Sequence, residues 1–530
     1  MSFKALSRDS GNNILLPTKS KRSQSALEYM MTYGWAILII VIVAVILYSM
    51  GIFNPSSSIT FTSSGFSPFT VSSSLCNNLG YKIAVLAGPM PNNANSLQID
   101  KVYLTSATGA NSTTASYTLK NPVTLKSGQS ATILIPNVAC NAANIHYSIS
   151  ANIQYSYTAS TLGLQTVNTT GTVAGTSIAG KPSVLTSYEP LTITNTQNTA
   201  TPNPFQQMVV FNSTDPGFSS IATGNFGQNV EFFYYNGTVV PSWLENYTTD
   251  NATWWLKIAA IPAGSSETVY VGFAPTTTNL FNTVNDGQAP QISSTYAEYD
   301  DGANVFNFYY NFAGTTLPGD LTEIVVDNSN TGATGTFNFN NGLNITSTKG
   351  SDFWDTVYVM TLLYYNKPVS KDQIFEAQIN SFNIGSSDTL YDKTGLVFQN
   401  AITDTSTQNG EVSFGTIESI NTFYLQWQSG TSYVSPTDNS FAITAVYPSW
   451  ISLQSPNSTY IGGFAGPSIE SVSQLGGYES PTNIQPTGYI GLFITDESGI
   501  GTTSAIYQFF LSRATPPNGV MPSVSFGSIA

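Results

Sequence analysis

Few side chains in this 530-residue sequence are suited to acid–base or covalent chemistry. The single histidine, His146, lies in the alternating stretch IHYSI, and with no second imidazole a Ser-His-Asp mechanism in the larger modules has no base. No His-Glu-x-x-His or Cys-x-x-Cys occurs, which argues against a typical zinc site. Glycoside hydrolysis needs only two carboxylates, so acids remain as candidates. In IFEAQI, Phe375, Ala377 and Ile379 share one face of a strand and Glu376 lies on the other, where it meets either solvent or a ligand. Asp300-Asp301-Gly302 is either a turn with two solvated acids or a weak calcium site; no other cofactor is implied. Gly175 to Lys181 matches G-x-x-x-x-G-K, but Pro182 stands where Ser or Thr is required and no helix follows, so the segment reads as a linker.

Cys76 and Cys140 are the only cysteines. In an exported chain an even pair reads as a disulfide, with two buried thiols as the alternative. Asn-x-Ser/Thr sequons occur at Asn111, Asn168, Asn212, Asn236, Asn246, Asn251, Asn344 and Asn457, all beyond the apolar segment described next, and are candidates for glycosylation.

The elements that must carry these residues begin with an uneven charge distribution. Only 9% of the chain is charged, and five of its sixteen basic residues precede Ser23. From Gln24 onward the net charge is −18, which argues against nucleic acid as a partner. Met30 to Phe53 carries no charge and is long enough to cross a bilayer as a helix, for which about 20 residues suffice. Tyr33, Trp35 and Tyr48 near its ends suit the interface, and basic residues on one side only place everything after Phe53 outside. A surface rich in hydroxyls and amides is also expected to stay hydrated in acid, where ion pairs fail.

Glu28, at the edge of this apolar run, is costly unless it has a partner. KRSQSALEY (21 to 29) resembles the prepilin-type signal of archaeal type IV pilin-like proteins. The matching positions are Lys21, Arg22, Gln24, Glu28 and Tyr29, with Ser23 in place of the family's Gly and Ala26 in place of its Ser. The resemblance implies cleavage between Ser23 and Gln24, retention of the apolar helix, and pairing of Glu28 with the new amino group of a neighbouring subunit. Without that pairing, Glu28 snorkels to the interface.

Beyond the membrane segment the chain reads as strands throughout. The sequence predicts a mainly β protein: a basic leader at 1–23, a transmembrane or pilin-like α-helix at 24–54, a β-sandwich head domain at 59–180, a small β-domain at 185–280 and a two-sheet sandwich at 296–530. FSPFTVSSSLC (66 to 76) resembles the opening of an archaeal pilin-like head domain. The second block, with an Asn236-Gly237 turn, Trp255 to Ile258 and the turn Ile261 to Gly264, is similar to an uncharacterised β-domain that precedes concanavalin-like modules in prokaryotic surface proteins. The third, through YDDGANVFNFYYNFAGTTLPGDLTEIVV, IFEAQINSF and YQFFLSRATPPNGVMPSVSFG, resembles a concanavalin A-like jelly roll, which implies a concave surface where relatives hold sugars.

These readings lead to a cell-surface, membrane-inserted pilin-like protein for filament assembly or adhesion. Its partners are other pilin-like subunits and, through the distal jelly roll, glycans or another cell surface. The alternative is a membrane-anchored protein that binds or hydrolyses polysaccharide. No catalytic constellation stands out, and the jelly roll lacks the Glu-x-Asp-x-x-Glu strand of many hydrolases of this fold, so an enzyme is the lesser expectation.

Overall fold

The computed structural model describes residues 33–34, 36–43 and 61–530, apart from 112–114, 137, 141, 225, 282–299, 329, 349–352, 355–356, 385–391, 403–410, 418–421, 430–431, 435–440, 458–459, 481–483 and 498–500. Residues 33–34 and 36–43 are helical and exposed. The basic leader, Ser23, Gln24, Glu28 and most of the expected transmembrane helix lie outside the described residues. Among those described, no helix is long and apolar enough to cross a membrane. The mainly β class holds: the described residues from 61 onward are strands, turns and a few short helical turns.

Two compact units divide at residues 179 and 180. In the first, a five-stranded antiparallel sheet (Thr62–Gly65, Gly163–Thr176, His146–Ala159, Leu97–Thr108, Ala115–Leu125) faces a three-stranded one (Phe69–Asn77, Gly80–Ala87, Ser130–Ile135). Alternation puts one face of each strand inside, as in Gly80–Ala87, where Tyr81, Ile83, Val85 and Ala87 are buried. They meet Ile99, Val102, Ile149 and Ile153 of the other sheet in one core. Cys76 and Cys140 are joined across a sequence separation of 64, as expected. Closing a loop of that length stabilises by about 4 kcal/mol in the chain-entropy model. Gly175 proves to be a strand residue, where a Cβ would come within 2.8 Å of the Tyr147 hydroxyl.

The second unit holds two sandwiches. In the smaller, a three-stranded sheet (Phe205–Asn212, Asn251–Ile258, Ser242–Tyr247) packs on a four-stranded sheet (Val230–Phe233, Ser266–Phe273, Ser187–Thr194, Ser523–Phe526). Asn236-Gly237 makes the expected turn: Gly237 has φ +80° and donates its N–H to the Tyr234 carbonyl. The fourth strand of the second sheet is the surprise. Ser523–Phe526, placed by the sequence inside the jelly roll, pairs instead with Leu191 to Thr194 of the small sandwich.

The larger sandwich has an eight-stranded and a ten-stranded antiparallel sheet. Between them lies a core that includes Phe375, Ala377, Ile379, Leu396, Phe398, Leu492 and Phe510, so the face of Gln373–Asn383 assigned to the interior is interior. The opposite face of the eight-stranded sheet is covered in part by the small sandwich, through Trp243, Trp255, Phe306, Trp450, Phe509 and Leu511.

Candidate functional site

The seam between these two sandwiches is where polar and aromatic side chains converge. Strand Asn251–Ile258 is buried on both faces: Trp254 points into its own sandwich and Trp255 outward to the jelly roll. Gln206 ties the two together, donating to the Val305 carbonyl at 3.0 Å and accepting from the Ala514 N–H at 2.8 Å. Glu376 is held there as well. Its carboxylate accepts two parallel bonds from Arg513, from Nε at 3.0 Å and Nη2 at 2.9 Å, and the guanidinium lies over the Trp255 ring at 4.7 Å. Glu376 is 1% exposed, so it is neither the solvated acid nor the sugar-facing acid expected from alternation alone. A carboxylate can be buried at that position because Arg513, 137 residues away in sequence but on the adjacent strand of the sheet, neutralises it.

Beside this paired core the seam opens into a cleft of about 510 Å³. One wall is Glu245, Asn246 and Tyr247 of the small sandwich; Gln378, Asn380 and Trp450 of the eight-stranded sheet form the other. Tyr247 is 43% exposed and is held flat by stacking on Phe226 at 4.1 Å, with 5° between the rings. Glu245 is fixed by two donors, the Ile469 N–H at 2.6 Å and the Trp255 indole N–H at 2.8 Å. Asn380 donates to Gln508 at 3.4 Å. The cleft thus offers a preset aromatic face, amides that donate and accept, and one oriented carboxylate. Of these, sequence reasoning named only Asn246, as a sequon and not as a ligand group; the one signal that could have found the seam is the consecutive Trp254 and Trp255, apolar on both faces of a strand.

Other expected positions are scattered. His146 is exposed at the start of strand His146–Ala159. Asp300 accepts from the Tyr309 hydroxyl at 2.5 Å, Asn311 at 2.9 Å and the Gly302 N–H at 2.9 Å, while Asp301 accepts from Asn304 at 2.6 Å. Burial raises the Asp300 carboxyl above its ordinary value, partly offset by these donors. Donors converging on a carboxylate suit a turn and not a cation, so the residues do not fit calcium. Among the described residues no group of three or more His, Cys, Asp or Glu gathers elsewhere either. Of the sequons, Asn111, Asn168, Asn212 and Asn236 are exposed; Asn246, Asn251 and Asn344 are half-buried, and Asn457 ends strand Ser449–Asn457.

No family model matches the chain. It is 27% identical over 355 residues to uncharacterized protein 562 of Sulfolobus islandicus rod-shaped virus 1, which covers 64% of this chain and 58% of that protein. The chain therefore spans little more than half of that relative's length. Among solved structures it is similar to a lectin from Bauhinia forficata in complex with GalNAc, at 11% identity and a TM-score of 0.24, over 39% of this chain and 99% of the lectin. A likeness that slight says nothing about a ligand.

Proposed function

We propose that this chain is a membrane-tethered, pilin-like cell-surface protein serving in filament assembly or adhesion, and that its distal pair of sandwiches, the larger a concanavalin-like jelly roll, binds glycans in the cleft at their seam. The observation that carries the glycan reading is the composition of that cleft: a half-exposed tyrosine ring fixed by stacking, flanked by Asn246, Gln378 and Asn380. A sugar presents an apolar ring face to stack on such a platform and a rim of hydroxyls for amides, and sites of this size need only a few placed polar groups. The tethering rests on Lys21, Arg22, Gln24, Glu28 and Tyr29 ahead of an uncharged run, which suits a helix kept after processing and paired through Glu28 with another subunit.

Binding is favoured over hydrolysis of polysaccharide. Glycosidases place two carboxyl groups about 5 to 10 Å apart across the scissile bond. Glu245 is the one carboxylate among the described residues lining the cleft, and both of its oxygens are engaged by protein donors.

Titrating the purified protein with a panel of neutral and acidic oligosaccharides tests the cleft. Tyr247→Ala is expected to weaken binding at least tenfold without unfolding the chain, since it removes the exposed stacking face. Unchanged affinity in that variant and in Gln378→Ala places any glycan elsewhere. Mass spectrometry of the native amino terminus tests the pilin-type processing separately: a chain beginning at Gln24 supports it, and one still carrying Lys21 and Arg22 refutes it while leaving a plain anchor.

A further inference from the structure

The small sandwich closes on a carboxyl group that nothing in the fold neutralises. Glu189 lies on strand Ser187–Thr194, whose other inward positions are Leu191 and Ile193. It is 0% exposed, and apart from the approach of the Gly217 N–H neither carboxyl oxygen meets a donor. Val271 stands opposite it in the sheet. Gly217 closes over it: a Cβ on that residue would come within 2.4 Å of Glu189 Oε2 and 2.6 Å of the Phe273 ring. Only a glycine lets the chain descend this far onto the carboxyl and shut it from water.

The groups around it offer no counter-charge. Asp215, in the turn ahead of Gly217, adds a like charge and is itself occupied, accepting the Asn212 N–H at 2.7 Å. Strand Ser266–Phe273 turns Val271 and Phe273 toward it; Glu267 sits at that strand's exposed far end, and Tyr188 and Tyr270 lie against each other on the opposite side of the sheet. Strand Ser523–Phe526, on the other edge of Ser187–Thr194, carries no ionisable side chain. No basic side chain among the described residues pairs with Glu189.

We infer that Glu189 is a proton-operated latch: as a carboxylic acid it lets the turn at 213–217 close and holds Ser187–Thr194 paired on both edges, and as a carboxylate it is drawn to water and opens them. Ionisation releases the proton to solvent and leaves a bare charge among Leu191, Val271 and Phe273, a cost met only by letting water in. Because Ser187–Thr194 is also the strand on which Ser523–Phe526 is laid, opening frees the returning end of the chain as well. Burial first, and then Asp215, push the Glu189 carboxyl up from 4.5 to about 6, while the approach of the Gly217 N–H offsets part of that rise. A group raised in the folded state favours closure below its unfolded value and loses that contribution as pH climbs through its folded one. The latch is therefore shut in acid and loosened near neutrality.

Hydrogen exchange of the full chain in detergent, between about pH 4 and pH 7.5, reads this directly. Opening of the segments 187–194 and 523–526 is compared at each pH with that of strand His146–Ala159 in the first unit, which cancels the intrinsic pH dependence of exchange. A rise from 4.5 to about 6 corresponds to a relative opening that grows up to about 30-fold across the range in the wild type. Glu189→Gln, which cannot ionise, is expected to flatten the ratio, and Asp215→Asn to move the rise to lower pH. A flat ratio in the wild type, which needs no variant to fold, overturns the latch. So does an equal rise in Glu189→Gln.

Discussion

Two glutamates of the second unit are buried to the same degree and solve the problem of burial in opposite ways. Glu376, on the eight-stranded sheet, is 1% exposed and takes two parallel hydrogen bonds from Arg513, whose guanidinium in turn rests on Trp255. Glu189, in the small sandwich, is 0% exposed and has no counter-charge, only the approach of the Gly217 N–H. The paired acid lies where two sandwiches must meet in one register, and the pair gives that seam a direction that Trp243, Phe306 and Trp450 by themselves lack. The unpaired acid lies within a single sandwich, where Leu191, Val271 and Phe273 already set the packing. A charge is thus built in permanently where orientation needs specifying, and conditionally where it does not.

The sharpest way to break this comparison is to remove one member of the pair. Arg513→Met leaves the buried Glu376 without a counter-charge, and is expected to cost about 3–5 kcal/mol in denaturant unfolding of the second unit. Replacing both, Glu376→Leu with Arg513→Met, is expected to recover most of that loss, because the desolvation cost disappears with the charge. A single variant that costs under about 1 kcal/mol would mean that water reaches the pair and that the seam does not depend on it.

A smaller effect is expected at Trp255, which touches both the ion pair and the cleft. Trp255→Phe keeps a ring at the seam but removes the indole N–H that Glu245 accepts at 2.8 Å and weakens the stacking under Arg513. A hydrogen bond to a charged group contributes about 1.5–3 kcal/mol, and the variant is expected to fall at the lower end because the Ile469 N–H still holds the other oxygen. If the carboxylate then swings free, glycan affinity in the cleft changes as well; stability lost with affinity intact would separate the seam from the site.

How much of this was legible beforehand follows from the range of the interactions. The disulfide between Cys76 and Cys140, the Asn236-Gly237 turn and the inward face of Phe375, Ala377 and Ile379 are set by composition or by neighbours in sequence, and each was read correctly. Alternation assigned Glu376 to the outer face, which is right, but could not show that a second sandwich covers it there. That depends on Arg513 and Trp255, 137 residues apart from Glu376 in the first case and in another domain in the second. The strand Ser523–Phe526 failed for the same reason: it alternates like its neighbours, and only its partner, Ser187–Thr194, tells which sheet it joins. The cleft was invisible because Tyr247 and Gln378 come together only when the two sandwiches do.

The smallest expected effect tests the unpaired glutamate and differs from the others in sign. Glu189→Leu fills the same interior with an apolar chain of similar bulk among Leu191, Val271 and Phe273. With the wild-type carboxyl pushed up to about 6, the acid contributes its full share to stability below about pH 4.5 and loses it as pH rises through 6. The leucine variant should therefore be no more stable than wild type near pH 4 and more stable near pH 7.5, by about 1 kcal/mol once screening at the edge of the core is allowed for. If Glu189→Leu tracks wild type in parallel at every pH, then the buried Glu189 carboxyl does not titrate as its surroundings require, and the distinction between a permanent and a conditional charge fails.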